Sequence, residues 1–201
     1  MIKKPHVTIL PPLQGAFASV FTALFQVLGR HARPLGWLLL GLVLLRVMYF
    51  AWVTEDAYIT FRTVEHLWAG QGLRWNVEER VQSYTHPLWM LLLALSKAVS
   101  GDLFTNAVVL SLGLTAGTLG LVYRQARSPQ VFAITTAILL FCQSFADYAT
   151  SGLENPLSSF LGVLAVVLLW STHPRRLLFF ALTTALLFIT RYDAMVMFVP
   201  V

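Results

Sequence analysis

Charge is what this sequence has least of. Only 11% of its 201 residues are Asp, Glu, Lys or Arg, against about 25% in an ordinary soluble domain. So few cannot build a water-facing surface, which excludes a conventional soluble protein. Cysteine is scarce too. Cys142 stands alone, so no disulfide can form within the chain and the redox compartment cannot be read from it. The net charge of +5 is scattered, with no basic run longer than two residues, which excludes a nucleic-acid-binding stripe. The histidines lack ligand spacing, so no histidine-based metal site is expected. There is neither an internal repeat nor a low-complexity linker. What fills the chain is apolar: 57% hydrophobic residues and a mean hydropathy of +0.71. The expected class is an all-α integral membrane protein.

A first span is expected at residues 35–53, because about 20 apolar residues cross a hydrocarbon core of ~30 Å. Later spans are expected at 103–123, 130–147, 155–171 and 175–190. The segment 87–100, "PLWMLLLALSKAVS", is too short at ~1.5 Å per residue. Charge decides its place. If it does not cross and the N-terminus is cytoplasmic, Lys3, Lys4, Arg30, Arg33, Arg124, Arg127, Arg175 and Arg176 fall inside. All nine acids then fall outside, with Arg62, Arg74, Arg80, Lys97 and Arg191. A crossing 87–100 would move the Arg124/Arg127 and Arg175/Arg176 loops outside, against the positive-inside rule. The segment therefore reads as a helix tucked into the outer face.

Ahead of the first span, Lys3 and Lys4 precede an apolar stretch that looks superficially like a signal peptide. A second basic cluster follows it, and Phe17, Phe21, Leu24 and Leu28 share one helical face. An interfacial amphipathic helix on the cytoplasmic side is the expectation, with a cleaved signal or a sixth crossing segment as the alternatives. The chain divides into that segment at 1–34, the first transmembrane helix at 35–53, an outer loop with juxtamembrane helices at 54–102, and a transmembrane bundle at 103–201. After the fifth span, "RYDAMVMFVPV" begins another apolar element and stops.

The chemistry collects in the outer loop, "WVTEDAYITFRTVEHLWAGQGLRWNVEERVQSYTHPLW", residues 52–89. From Glu55 to Leu67 it reads as a helix with Asp56 at its start, where an acid also suits the positive helix end. Glu154 sits beside Pro156 at another span entrance, again as a cap candidate, and Asp193 follows the last span. Acids beside a bilayer are costly and tend to be paired or functional. Tyr58, Trp68, Trp75, Tyr84 and Trp89 suit a sugar site and equally an interfacial belt. Arg46, inside the first span, reads either as a snorkelling or bundle contact or as a phosphate ligand.

Three ordered stretches, "EDAYITFRTVEHLWAGQGLRWNVEERVQSYTHPLW", "TSGLENPLSSFL" and "LFITRYDAMVMFVP", resemble the membrane-embedded GT-C glycosyltransferases. Within them the likeness is strongest to the group that contains the mycobacterial terminal arabinofuranosyltransferases, and it covers residues 36–201. It implies an enzyme of the bacterial cytoplasmic membrane, multi-pass, moving a sugar from a polyprenyl-phosphate donor to a cell-envelope acceptor. By that resemblance Asp56 takes the place of the catalytic loop acid, Glu55 stands where Asp is common, and Glu154 matches the second outer acid. Glu154 would orient the acceptor or a divalent cation, the one cofactor the resemblance leaves open. Arg62 and Arg191 match basic positions facing the donor phosphate; Tyr58, Tyr84, His86 and Asp193 complete the polar lining. Enzymes of this kind carry more than twice as many spans, so a second reading stands beside the first. In it the chain is a shortened, non-catalytic relative serving other membrane subunits as a scaffold.

Overall fold

The computed structural model describes residues 11–79 and 81–197, so Lys3, Lys4 and Arg80 lie outside the described residues, as do the side chains of Phe17, Phe21, Leu24 and Leu28. The described residues form helices and loops, with no strand among them. Helix α1 runs Pro11–Tyr49, α2 Glu55–Trp68, α3 Pro87–Lys97, α4 Leu103–Gln125, α5 Pro129–Phe141, α6 Gln143–Tyr148, α7 Asn155–Leu169 and α8 Arg176–Thr190; a 3-10 turn, Tyr192–Met197, follows. Among the described residues, two helical segments are long and apolar enough to cross a membrane, His31–Tyr49 and Leu103–Gln125.

Local chemistry explains several boundaries. Asp102 caps α4, accepting from the Phe104 and Thr105 amides at 3.2 and 3.1 Å. The Thr105 hydroxyl and these amides hold the Asp102 carboxyl below its usual range. Ser128 caps α5 through the Val131 amide at 3.3 Å, with Pro129 beginning the helix. Helix α2 closes on Gly70, whose φ of 76° suits glycine. The Gln71 amide donates to the His66 carbonyl and Gly70 to Leu67, the paired bonds of a Schellman end.

Three boundaries differ from the sequence expectation. Helix α1 is continuous through Pro34, with no break between the N-terminal segment and the first span. It ends at Tyr49 rather than at residue 53, because the Trp52 and Thr54 amides leave the helix for Thr150 Oγ1 and the Ser151 carbonyl. The span expected at 130–147 divides at Cys142 into α5 and α6. Meanwhile α3 has 11 residues and rises only ~16 Å, in keeping with a segment too short to cross.

Helix α1 packs on α5, α4 on α7, and α7 on α8, while α2 and α3 pack on each other and α3 also on α4 and α8. The main core joins Ala57, Phe61 and Val64 of α2 to Trp89 and Leu93 of α3, Ala107 of α4, Leu161 of α7 and Leu187 of α8. Positions 57, 61 and 64 are the one-face spacing of an amphipathic helix. Outward, the pattern inverts that of a soluble protein: Val131, Ile134, Ile138 and Phe141 of α5 and Leu178, Leu182, Leu186 and Ile189 of α8 are exposed. Such apolar stripes are stable against lipid and costly against water. The architecture is that of an all-α membrane protein.

Candidate functional site

The bundle's connectivity brings the ends of five elements together. The chain leaving α1, the start of α2, the residue before α3, the start of α7 and the end of α8 meet around the loop Thr150–Glu154. Thr54 donates its amide to the Ser151 carbonyl at 2.9 Å, and Trp89 Nε1 donates to the Gly152 carbonyl at 2.8 Å. Gly152 has φ 79°. A Cβ there would lie 2.7 Å from Val53 Cγ1 and 2.8 Å from Ala57 Cβ. Only glycine lets this loop press onto the first turn of α2.

That close approach aims Glu154 inward. Glu154 occupies the capping position of α7 without capping it. Instead its Oε2 lies 3.2 Å from His86 Nδ1, and its side chain is only 13% exposed. His86 Nε2 lies 2.8 Å from Thr60 Oγ1, both residues buried. The chain of bonds fixes the tautomer: Nδ1–H donates to the carboxylate, and Nε2 accepts from the Thr60 hydroxyl. Burial lowers the His86 pKa from its ordinary value near 6.5, and the Glu154 charge only partly opposes it. The imidazole is therefore neutral at neutral pH, which this donor–acceptor arrangement requires.

Arg191 approaches from the end of α8. Its Nη1 lies 3.8 Å from Glu154 Oε1 and donates to Asn155 Oδ1 at 3.2 Å. Its Nε donates to both Asp193 oxygens, at 2.9 and 3.2 Å. The Asp193 carboxyl is consequently held below its usual range, while that bond and the two acids raise Arg191. Both N–H groups of Nη2 remain uncommitted among the described residues, and the side chain is 44% exposed. Thus Glu154, His86, Arg191 and Asp193 form one connected cluster.

Asp56 stands four residues before Thr60 on α2. Residues at that spacing share a face, ~5–6 Å apart. Thr54, not Asp56, holds the capping position. Asp56 and Glu55 are exposed in the first turn, where the helix dipole favours their charge. The other expected residues lie elsewhere. Tyr58 is exposed and edge-on to Phe61 at 5.3 Å. The Arg62 guanidinium stacks over Trp75 at 4.5 Å. Tyr84 is half-buried, on a cleft of about 420 Å³ with Arg74 and Gln82. Among the described residues, no three His, Cys, Asp or Glu side chains are grouped to hold a metal ion.

Sequence reasoning missed Thr60 and Asn155. The signal for Thr60 was its spacing of four from Asp56; Asn155 carried none beyond following Glu154.

A neutral buried histidine has a pH signature. A base with a depressed folded pKa takes its proton more readily in the unfolded chain, so stability falls as pH drops through about 6.5. No such loss arises above that value. Melting temperatures measured from about pH 8 to about pH 5 should fall on the acid side, and His86→Gln should flatten that slope. A slope unchanged in His86→Gln would show that other groups set it.

These features define an all-helical protein with an acid–histidine–arginine cluster at one end of its bundle. No protein-family model matches the chain. No solved structure matches it. It is similar to the terminal β-(1→2)-arabinofuranosyltransferase of Mycobacterium tuberculosis, 31% identical over 138 residues, covering 62% of this chain and 22% of that protein. It is also similar to the terminal β-(1→2)-arabinofuranosyltransferase of Corynebacterium glutamicum, 36% identical over 115 residues, covering 53% of this chain and 17% of that protein. The matched part is thus less than a quarter of either relative's length. These likenesses bear out the resemblance drawn from the three ordered stretches.

Proposed function

We propose that this chain forms the acid-bearing end of a membrane glycosyltransferase, working on the outer face of a bacterial cytoplasmic membrane. The donor is a sugar on polyprenyl phosphate, arabinofuranose being the sugar in both relatives' names. The acceptor is a hydroxyl of a cell-envelope glycan. In the reaction the acceptor oxygen attacks the anomeric carbon, the bond to the phosphate oxygen breaks, and the acceptor proton passes to a carboxylate. Asp56, exposed on the rim, is that base. Glu154 accepts from a neighbouring hydroxyl of the acceptor glycan and so orients the attacking one, while Nη2 of Arg191 faces the departing phosphate. Arg62 has less to offer, since Trp75 already occupies one face of its guanidinium.

The observation that carries this reading is the Glu154–His86–Thr60 chain of bonds. A carboxylate held inward by a buried neutral histidine, itself bonded to Thr60 one turn along α2 from the second acid Asp56, is pre-organised. An interfacial cap would need no such support. Glu154→Gln in the intact membrane protein, reconstituted in nanodiscs with polyprenyl-phosphate arabinofuranose and acceptor glycan, should lower transfer about 10- to 100-fold, the range for a lost orienting contact. Its apparent KM for acceptor should rise while that for donor stays put. Undiminished transfer in Glu154→Gln would remove Glu154 from the site.

A further inference from the structure

A second site lies on the lipid-facing side of the bundle, where the end of α1 meets the α5–α6 junction. A cleft of about 800 Å³ opens there, with Leu42, Leu45, Phe50 and Phe141 among its walls and Arg46, Gln143 and Tyr49 as its polar side chains. It shares no lining residue with the Glu154 cluster.

Arg46 is anchored but not used up. Its Nη1 donates to the Leu140 carbonyl, freed where α5 breaks at Cys142, and its Nη2 donates to Gln143 Oε1 at 2.5 Å. A guanidinium has five N–H donors, so three remain. Among the described residues Arg46 forms no ion pair. The acid linked to it through Gln143 is Asp147, whose Oδ1 accepts from Gln143 Nε2 at 2.6 Å. No acid lines the cleft itself. A half-buried cation against apolar walls, with no anion beside it, is costly in low dielectric. Its rigid fork is the group that suits a phosphate.

We propose that this cleft binds a membrane lipid bearing a phosphate headgroup, its phosphate on Arg46 and its chain along the apolar walls. Charge complementarity selects the occupant. A second copy's apolar helix would leave the guanidinium unmatched, and free phosphate would leave the walls bare. Phe141 and Tyr49, about four-fifths exposed, give the lipid chain its sideways entry. The inference rests on the chain lying in a bilayer but not on sugar transfer, and its test reads lipid retention alone.

The test is native mass spectrometry of the purified chain in micelles, with dioleoyl phosphatidic acid and, separately, dioleoylglycerol. Both probes have the same chains, and only one carries the phosphate. Phosphatidic acid should be retained about tenfold better, as expected of a charge-assisted contact. Arg46→Gln should abolish the preference. Gln143→Ala, which cuts the same anchor but leaves the cation, should keep it. If Arg46→Gln does not fold, Phe141→Glu places an acid at the exposed rim and should abolish the preference equally. Equal retention of both lipids, an unchanged preference in Arg46→Gln or Phe141→Glu, loss of preference in Gln143→Ala, or displacement by inorganic phosphate would each overturn the proposal.

Discussion

Asp56→Asn in the intact membrane protein is expected to cut sugar transfer about 10²- to 10⁴-fold, the range a positioned general base contributes, with little change in stability. The two effects separate because Asp56 is exposed in the first turn of α2 and has no bonded partner among the described residues. Asparagine keeps the size and the polar carbonyl but cannot take a proton at neutral pH. Only its share of the helix-end charge interaction is lost, typically below about 1 kcal/mol. Product formation from labelled donor, beside a melting curve on the same preparation, resolves the two. Full transfer in Asp56→Asn would take Asp56 out of the chemistry. Lost transfer with a collapsed melting temperature would make it structural.

Gly152→Ala is expected to be the most destabilising small substitution at the site. Holding a non-glycine residue at φ 79° costs on the order of 1–3 kcal/mol. Forcing a methyl to within 2.8 Å of Val53 and Ala57 adds about 1–3 kcal/mol of overpacking. Ala57 cannot retreat cheaply, since it is held in α2, and the loop cannot back away cheaply, since the Gly152 carbonyl is tied to Trp89. A fall in melting temperature of roughly 5–15 °C follows for a chain of this size. Glu154, two residues on, would be displaced from His86. Melting curves in detergent check this, and a melting temperature within error of the parent would contradict the close approach.

Much of this was legible in the sequence, for physical reasons that can be named. The starts of α4 and α7 and both ends of α8 follow from hydropathy and from Asp102, Pro156 and the Arg175/Arg176 pair. That Glu154 and Asp193 join the α2 end follows from counting spans, a topological inference needing no side-chain detail. The rest was hidden because tertiary contacts decide it. Pro34 looks like a boundary, since proline removes a helix donor, yet α1 passes through it. Cys142 carries no breaker signal; the break leaves Leu140 its carbonyl for Arg46. His86 before Pro87 reads as a cap or surface residue, and only the packing of α2 on α3 turns it toward Thr60. Glycine in "SGLEN" marks a turn, but its contact with Val53 and Ala57 lies about a hundred residues away in sequence and has no local signature. Arg62 matched a basic position, yet its stacking on Trp75 depends on the path of the loop between α2 and α3.

The central claim is that Asp56 and Glu154, 98 positions apart, serve one reaction centre. Transfer rates of Asp56→Asn, Glu154→Gln and the double variant in the intact membrane protein test it most directly. Groups that act as a unit are strongly non-additive. The proposed single centre therefore calls for a double variant scarcely slower than Asp56→Asn alone. A double variant slowed by the product of the two single effects would mean that the acids work independently, and the single centre would be wrong.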